Sequence, residues 1–90
     1  MAGYRLLIKP SAAKEIEALG QKKDRQRIVN RIGALAAEPR PAGCEKLASA
    51  EGRYRIHQGR FRIIYAVDDT ARTVDVVKVG HRREVYRGAG

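Results

Sequence analysis

YRIHQGRFRIIY, residues 54–65, is the stretch on which the fold turns. It predicts two short strands around a tight turn at Gln58-Gly59, with glycine supplying the positive φ such turns need. That register pairs His57 with Arg60, Ile56 with Phe61, Arg55 with Arg62 and Tyr54 with Ile63. Side chains alternate faces along a strand. Tyr54, Ile56, Phe61, Ile63, Tyr65 and Val67 therefore share one face. Arg53, Arg55, His57, Arg60 and Arg62 share the other. A slip of one residue would mix the two sets. Arginines facing each other across a strand pair repel, so the cationic stripe asks for an anion.

Downstream, the DDTAR turn (68–72) extends the ladder. With Asp68 opposite Thr73, Val74 faces Val67 and Val76 faces Tyr65. A regular continuation sets Val79 opposite Arg62 and His81 near Arg60. His81 then projects on the cationic face, at the same end as His57. Lys78 falls on the apolar side, a misfit. The strands expected here are 53–57, 60–68 and 73–80.

Upstream, YRLLIK (4–9) reads as a strand closed by Pro10. Ser11 is a candidate cap for a helix from Ala12, with Ile16 and Leu19 on one side and Gly20 as its stop. A second helix spans about 22–37, its apolar face built from Ile28, Ile32, Leu35 and Ala36. Gly33 inside it costs about 1 kcal/mol relative to alanine, which close packing on the sheet would explain. Glu38 before Pro39 ends the helix. Residues 39–52 form the longest loop, anchored by Leu47. The two helices are the available cover for the apolar face of the sheet. The expected architecture is one α+β domain over residues 1–90, with two N-terminal helices on one face of a four-stranded sheet. The pattern leaves open which edge the first strand joins.

The chain has 90 residues, a net charge of +9 and a pI near 10.3, with 13 arginines against 6 lysines. Such an excess points to a polyanionic partner, and arginine is the better fork for phosphate. Cys44, the single cysteine, excludes an internal disulfide and a CxxC metal pair, and reads as an incidental thiol. No apolar run reaches the roughly 18 residues that span a membrane, and the N-terminus is too short in apolar residues for a signal peptide. The expectation is a cytoplasmic protein with no membrane partner.

A solvated strand face normally mixes signs. This one shows few carboxylates, Asp75 lying further along the sheet. Cleavage of RNA beside a phosphate needs a base for the 2′-hydroxyl, an acid for the leaving 5′-oxygen and cations for the developing charge. No metal is required, and the sequence lacks clustered Asp, Glu and His ligands. His57 and His81 are the only histidines; one would serve as base and the other as acid. Arg53, Arg55, Arg60 and Arg62 are the phosphate-binding candidates, and Tyr86 is placed to stack on a base.

The segments KL, YRIHQGRFRIIY and VGHRREVY, in that order and spacing, resemble the RelE branch of the RelE/ParE toxin superfamily. The likeness spans nearly the whole chain. It implies a mostly antiparallel RelE-like sheet, and a toxin of a type II toxin–antitoxin pair that cleaves mRNA, often on the ribosome. It also implies a small cognate antitoxin that covers the basic surface, and no cofactor. Arg62 matches the family's phosphate-binding arginine. Arg82 matches its arginine assigned as general acid or phosphate contact, and Tyr86 the tyrosine that orients substrate. Arg55 and His57 stand where lysines are usual. Arginine stays protonated, so His57 is the better base. His81 stands where some members carry a catalytic histidine. The alternatives are a gyrase-inhibiting toxin of the ParE branch and a non-catalytic nucleic-acid-binding module.

Overall fold

The described residues form seven elements: β1 (Arg5–Ile8), α1 (Pro10–Glu17), α2 (Lys22–Leu35), β2 (Glu45–Lys46), β3 (Arg53–Gln58), β4 (Phe61–Asp68) and β5 (Thr73–His81). The computed structural model describes residues 3–48 and 52–81. The sheet order is β1-β5-β4-β3-β2. β1 runs parallel to β5 on one edge, and every other pair is antiparallel. The expected α+β architecture stands with one strand more than predicted, because two residues of the long loop pair with β3 as β2. Among the described residues no helix is long and apolar enough to cross a membrane.

The helices form by the expected periodicity, α2 starting at Lys22 as expected and α1 starting at Pro10 rather than Ala12. Pro10 occupies the first turn of α1 and Lys9 is its N-cap. Proline suits that place, because its missing N–H has no helical acceptor there and its φ is already helical. Ser11 therefore sits inside the helix and caps nothing. Gly33 has nothing within 4 Å of the position a Cβ would take, so sheet packing does not account for it.

The core lies between the helices and one face of the sheet. Ala12 and Ile16 of α1 and Ile28, Ile32 and Leu35 of α2 pack on Ile56, Ile63, Tyr65, Val67, Val74, Val76 and Val79. Burying each such aliphatic side chain contributes about 1.5–3 kcal/mol. Tyr65 is fully buried, and its hydroxyl donates to the Pro39 carbonyl at 2.7 Å. Burial raises its phenol above the ordinary range. Arg40 ties the loop after α2 to the β4–β5 turn. It donates to the Tyr54 hydroxyl at 2.9 Å and to Asp69 at 2.7 Å, and the Tyr4 hydroxyl donates to Asp69 at 2.7 Å.

The β3–β4 turn sits one residue later than expected. Gln58 pairs with Phe61, His57 with Arg62, Ile56 with Ile63, Arg55 with Ile64 and Tyr54 with Tyr65. Gly59, with φ +62°, takes the first turn position and Arg60 the second. The register has moved by two residues. Faces repeat every two residues, so the apolar and polar sets of the two strands keep their sides. What changes is partnership: Arg55 no longer opposes Arg62, and the repulsion expected between them is relieved.

The β4–β5 ladder begins as expected, with Asp68 opposite Thr73 and Tyr65 opposite Val76. Ile64 then pairs with Lys78, leaving Val77 as an extra residue in a β-bulge. Such a bulge shifts the phase of the strand by one. It lets Val76 and Val79 both face the core, where they are 0% and 1% exposed. It also moves Lys78 off that face, and its ammonium reaches Glu15 of α1 at 3.0 Å. The other Glu15 carboxylate oxygen accepts the Val79 N–H at 2.9 Å. The bulge resolves the Lys78 misfit and overturns the expected neighbours of Val79 and His81.

Candidate active site

On the face of the sheet away from the helices, three strands set a row of residues side by side: His57 of β3, Arg62 of β4 and Gly80 of β5. The next row is Glu45 of β2, Arg55 of β3, Ile64 of β4 and Lys78 of β5. Arg53 begins a third row, opposite Ala66. Of the four expected phosphate ligands, Arg53, Arg55 and Arg62 share this face.

Arg60 does not. It occupies the turn and lines a pocket of about 300 Å³ with Asp24 and Arg27 of α2, Gln58, Gly59 and Phe61. The two-residue shift of register moved it out of the strand. His81 leaves the face as well. The bulge sets it opposite Phe61, whose ring it meets edge-on at 6.1 Å between centroids. The expected pairing of His57 with His81 on one arginine-rich face is therefore not formed. Arg82 and Tyr86 lie outside the described residues.

Arg62 is 5% exposed although its side chain stands on the face the helices leave uncovered. Its Nη1 meets Nδ1 of His57. On the other side of the ring, His57 Nε2 lies 3.4 Å from Glu45 Oε1. The same carboxylate oxygen takes Arg55 through Nε and Nη2, each at 3.2 Å. The sequence reading had few carboxylates for this face and missed Glu45. A loop strand of two residues carries no alternation to reveal it. Only its position ahead of Leu47, the expected anchor, marked the segment as packed on the sheet.

The electrostatics follow from these contacts. The Arg55 guanidinium, then the hydrogen bond from His57, hold the Glu45 carboxyl below its ordinary range. Three arginines face one carboxylate here, so the site keeps a positive balance for an anion. Asp75, on the same face further along, is engaged by Lys9 at 3.0 Å. Chemically, the site offers a guanidinium fork for phosphate, an imidazole able to exchange a proton, and a carboxylate to orient that imidazole. Among the described residues no group of three His, Cys, Asp or Glu side chains converges to hold a metal ion.

Residues 6–86 match the family described as "ParE toxin of type II toxin-antitoxin system, parDE". The chain is 33% identical over 56 residues to Toxin RelG of Mycobacterium tuberculosis, covering 62% of this chain and 64% of that protein. It thus spans just under two thirds of that relative. It is 26% identical over 84 residues to Toxin RelE of the same organism, covering 93% of this chain and 87% of that protein. In structure it is similar to the toxin of the archaeal RelE–RelB complex from Pyrococcus horikoshii OT3. The TM-score is 0.79 at 26% identity, covering 91% of this chain and 97% of that one.

Proposed function

Because this chain belongs to the ParE toxin family of type II toxin–antitoxin systems, we propose that it is a RelE-like endoribonuclease that cleaves mRNA on the ribosome without a metal. The observation that carries the reading is the contact of His57 with Arg62, which joins a proton-exchanging group to a buried cation. Arg62 binds the scissile phosphate and stabilises its developing charge. His57 removes the 2′-hydroxyl proton, and the 2′-oxygen attacks phosphorus. The bond from phosphorus to the 5′-oxygen breaks, leaving a 2′,3′-cyclic phosphate. The leaving oxygen takes a proton from water, and Arg82 is the phosphate contact that the family pattern offers beside it. Arg53 and Arg55 hold neighbouring phosphates, and Tyr86 orients a base. His81, on the opposite face, has no part in this scheme.

The partner is a cognate antitoxin, as in the RelE–RelB complex of the structural neighbour. It masks the basic face, and the protein works in the cytoplasm where translation occurs. Primer extension on cellular mRNA after induction tests the reading. Cuts within translated codons are expected. Their absence, with DNA damage instead, would move the assignment to gyrase inhibition, which the ParE name of the matched family favours.

A further inference from the structure

We propose that Glu45 is a positioning residue that holds His57 in one tautomer, and that Arg62 caps the basic ring nitrogen until a substrate phosphate draws its guanidinium away. The inference rests on the reading of His57 as the base.

The argument begins with what arginine cannot do. A guanidinium has only donors and keeps its proton at any physiological pH. In the contact of Arg62 Nη1 with His57 Nδ1, the arginine must donate and Nδ1 must accept. A neutral imidazole that accepts at Nδ1 carries its proton at Nε2. Nε2 is the nitrogen that faces Glu45 Oε1, at 3.4 Å. Both ends of the ring therefore select the same tautomer. Among the described residues, the charged groups facing the ring are Glu45 of β2, Arg55 of its own strand and Arg62 of β4, while β5 contributes Gly80, which has no side chain.

The consequence is a base whose lone pair is occupied while the site is empty. A phosphate offers the guanidinium two anionic oxygens, a stronger acceptor than a neutral ring nitrogen. When Arg62 turns to it, Nδ1 is released at the place where the reacting phosphate has just been bound. Glu45 meanwhile keeps the Nε2 proton in place and stabilises the imidazolium that forms when Nδ1 takes a proton, the role of the third member in a base-orienting triad. Its carboxylate is itself fixed by Arg55 at 3.2 Å, which explains an arginine where proton transfer needs none.

Two measurements test this. Nitrogen-15 NMR of the histidine rings in the free protein should show His57 protonated at Nε2, with Nδ1 hydrogen-bonded. Adding an RNA oligonucleotide with 2′-deoxy at the cleaved position should move Nδ1 toward the shift of an uncapped ring nitrogen. Arg62→Met should produce that shift with no RNA. Second, Glu45→Gln should lower kcat about 10- to 100-fold, part of the roughly 10²–10⁴ that a general base supplies, with KM within about twofold. Loss of the carboxylate disfavours imidazolium, so the acid limb of the pH–rate profile should move to lower pH. Glu45→Asp should restore part of both. A proton found on Nδ1 in the free protein, or an unmoved limb with kcat unchanged, would overturn the proposal. If the wild type cuts no RNA yet the ring shifts follow the pattern above, the nuclease reading falls and the capped geometry stands.

Discussion

Strand β4 carries Ile63, Tyr65 and Val67 on one side and Arg62 and Ile64 on the other, and the two sides are held by different means. The first set belongs to the core cluster that also holds Ala12 and Ile16 of α1 and Ile28, Ile32 and Leu35 of α2. The second lies on the helix-free side, yet Arg62 and Ile64 are each only 5% exposed. On the helix side burial is a matter of apolar contact. On the other side Arg62 is placed by the imidazole of His57 across the strand. The contrast teaches that one strand can stabilise the domain with one set of residues and present a hydrogen-bonded cation with the set between them.

The largest expected effect falls on the helix side. Ile63→Ala should lower unfolding free energy by about 2–5 kcal/mol, as large-to-small core changes do. Urea denaturation measures it. Arg62→Met, similar in volume and no longer charged, should change the same quantity by about 1 kcal/mol or less, since its partner His57 is half exposed and no buried charge is left behind. Equal losses from the two variants would erase the distinction between the sides.

The second effect is functional. Arg62→Met should reduce RNA cleavage about 10²–10³-fold, the range for removing one donor to a developing oxyanion. A purified-protein assay on a short mRNA reads this directly, and full activity would remove Arg62 from the chemistry. Third, Tyr65→Phe leaves the buried Pro39 carbonyl without its donor and should cost about 1–3 kcal/mol of stability, with the specific activity of the folded protein kept. Fourth, His81→Ala should change cleavage by less than about tenfold, or roughly 1.4 kcal/mol in the barrier. A larger loss would mean that the Phe61 side of the sheet takes part.

The smallest expected effect is a pH dependence at the Arg40 junction. Hydrogen bonds from Arg40 and then Tyr4 hold the Asp69 carboxyl below its ordinary value near 3.8. Its contribution is complete above that value and is lost as pH falls through the lower, folded value. The gap in unfolding midpoint between wild type and Asp69→Asn should therefore be constant well above pH 3.8 and narrow progressively as pH is lowered below it. A gap that stayed constant throughout would show that the carboxylate's charge is not involved.

Much of this was legible in the residues, for reasons that also mark the limit. The alternation in residues 54–65 has period two, so it assigned Ile56, Ile63 and Tyr65 to the core and Arg55, His57 and Arg62 to the other face. The same period cannot distinguish a register from one displaced by two residues. Gly59 in the first rather than the second turn position moved Arg60 off the strand unannounced. Lys78 did announce the bulge, as a lysine falling among core positions, but a regular ladder had no way to place it. Glu45 and the parallel pairing of β1 with β5 were not readable. The one rests on a strand of two residues and the other on contacts between distant segments, and neither leaves a periodic trace. Family resemblance pointed to Arg62 as the phosphate ligand, and its buried contact with His57 supports that role without testing it.

The bulge at Val77 also bears on how this strand can vary. The residues of β5 before and after it count the sheet in opposite phases, and Val77 is the one residue without a partner on β4. Its deletion would straighten the strand while leaving every remaining pair intact. A deletion at Val74 or Val79 would instead force that pairing to be rebuilt or the core to lose a valine. Length variation among relatives should therefore gather at this single position, as though β5 held one spare letter between two words that must each be spelled in full.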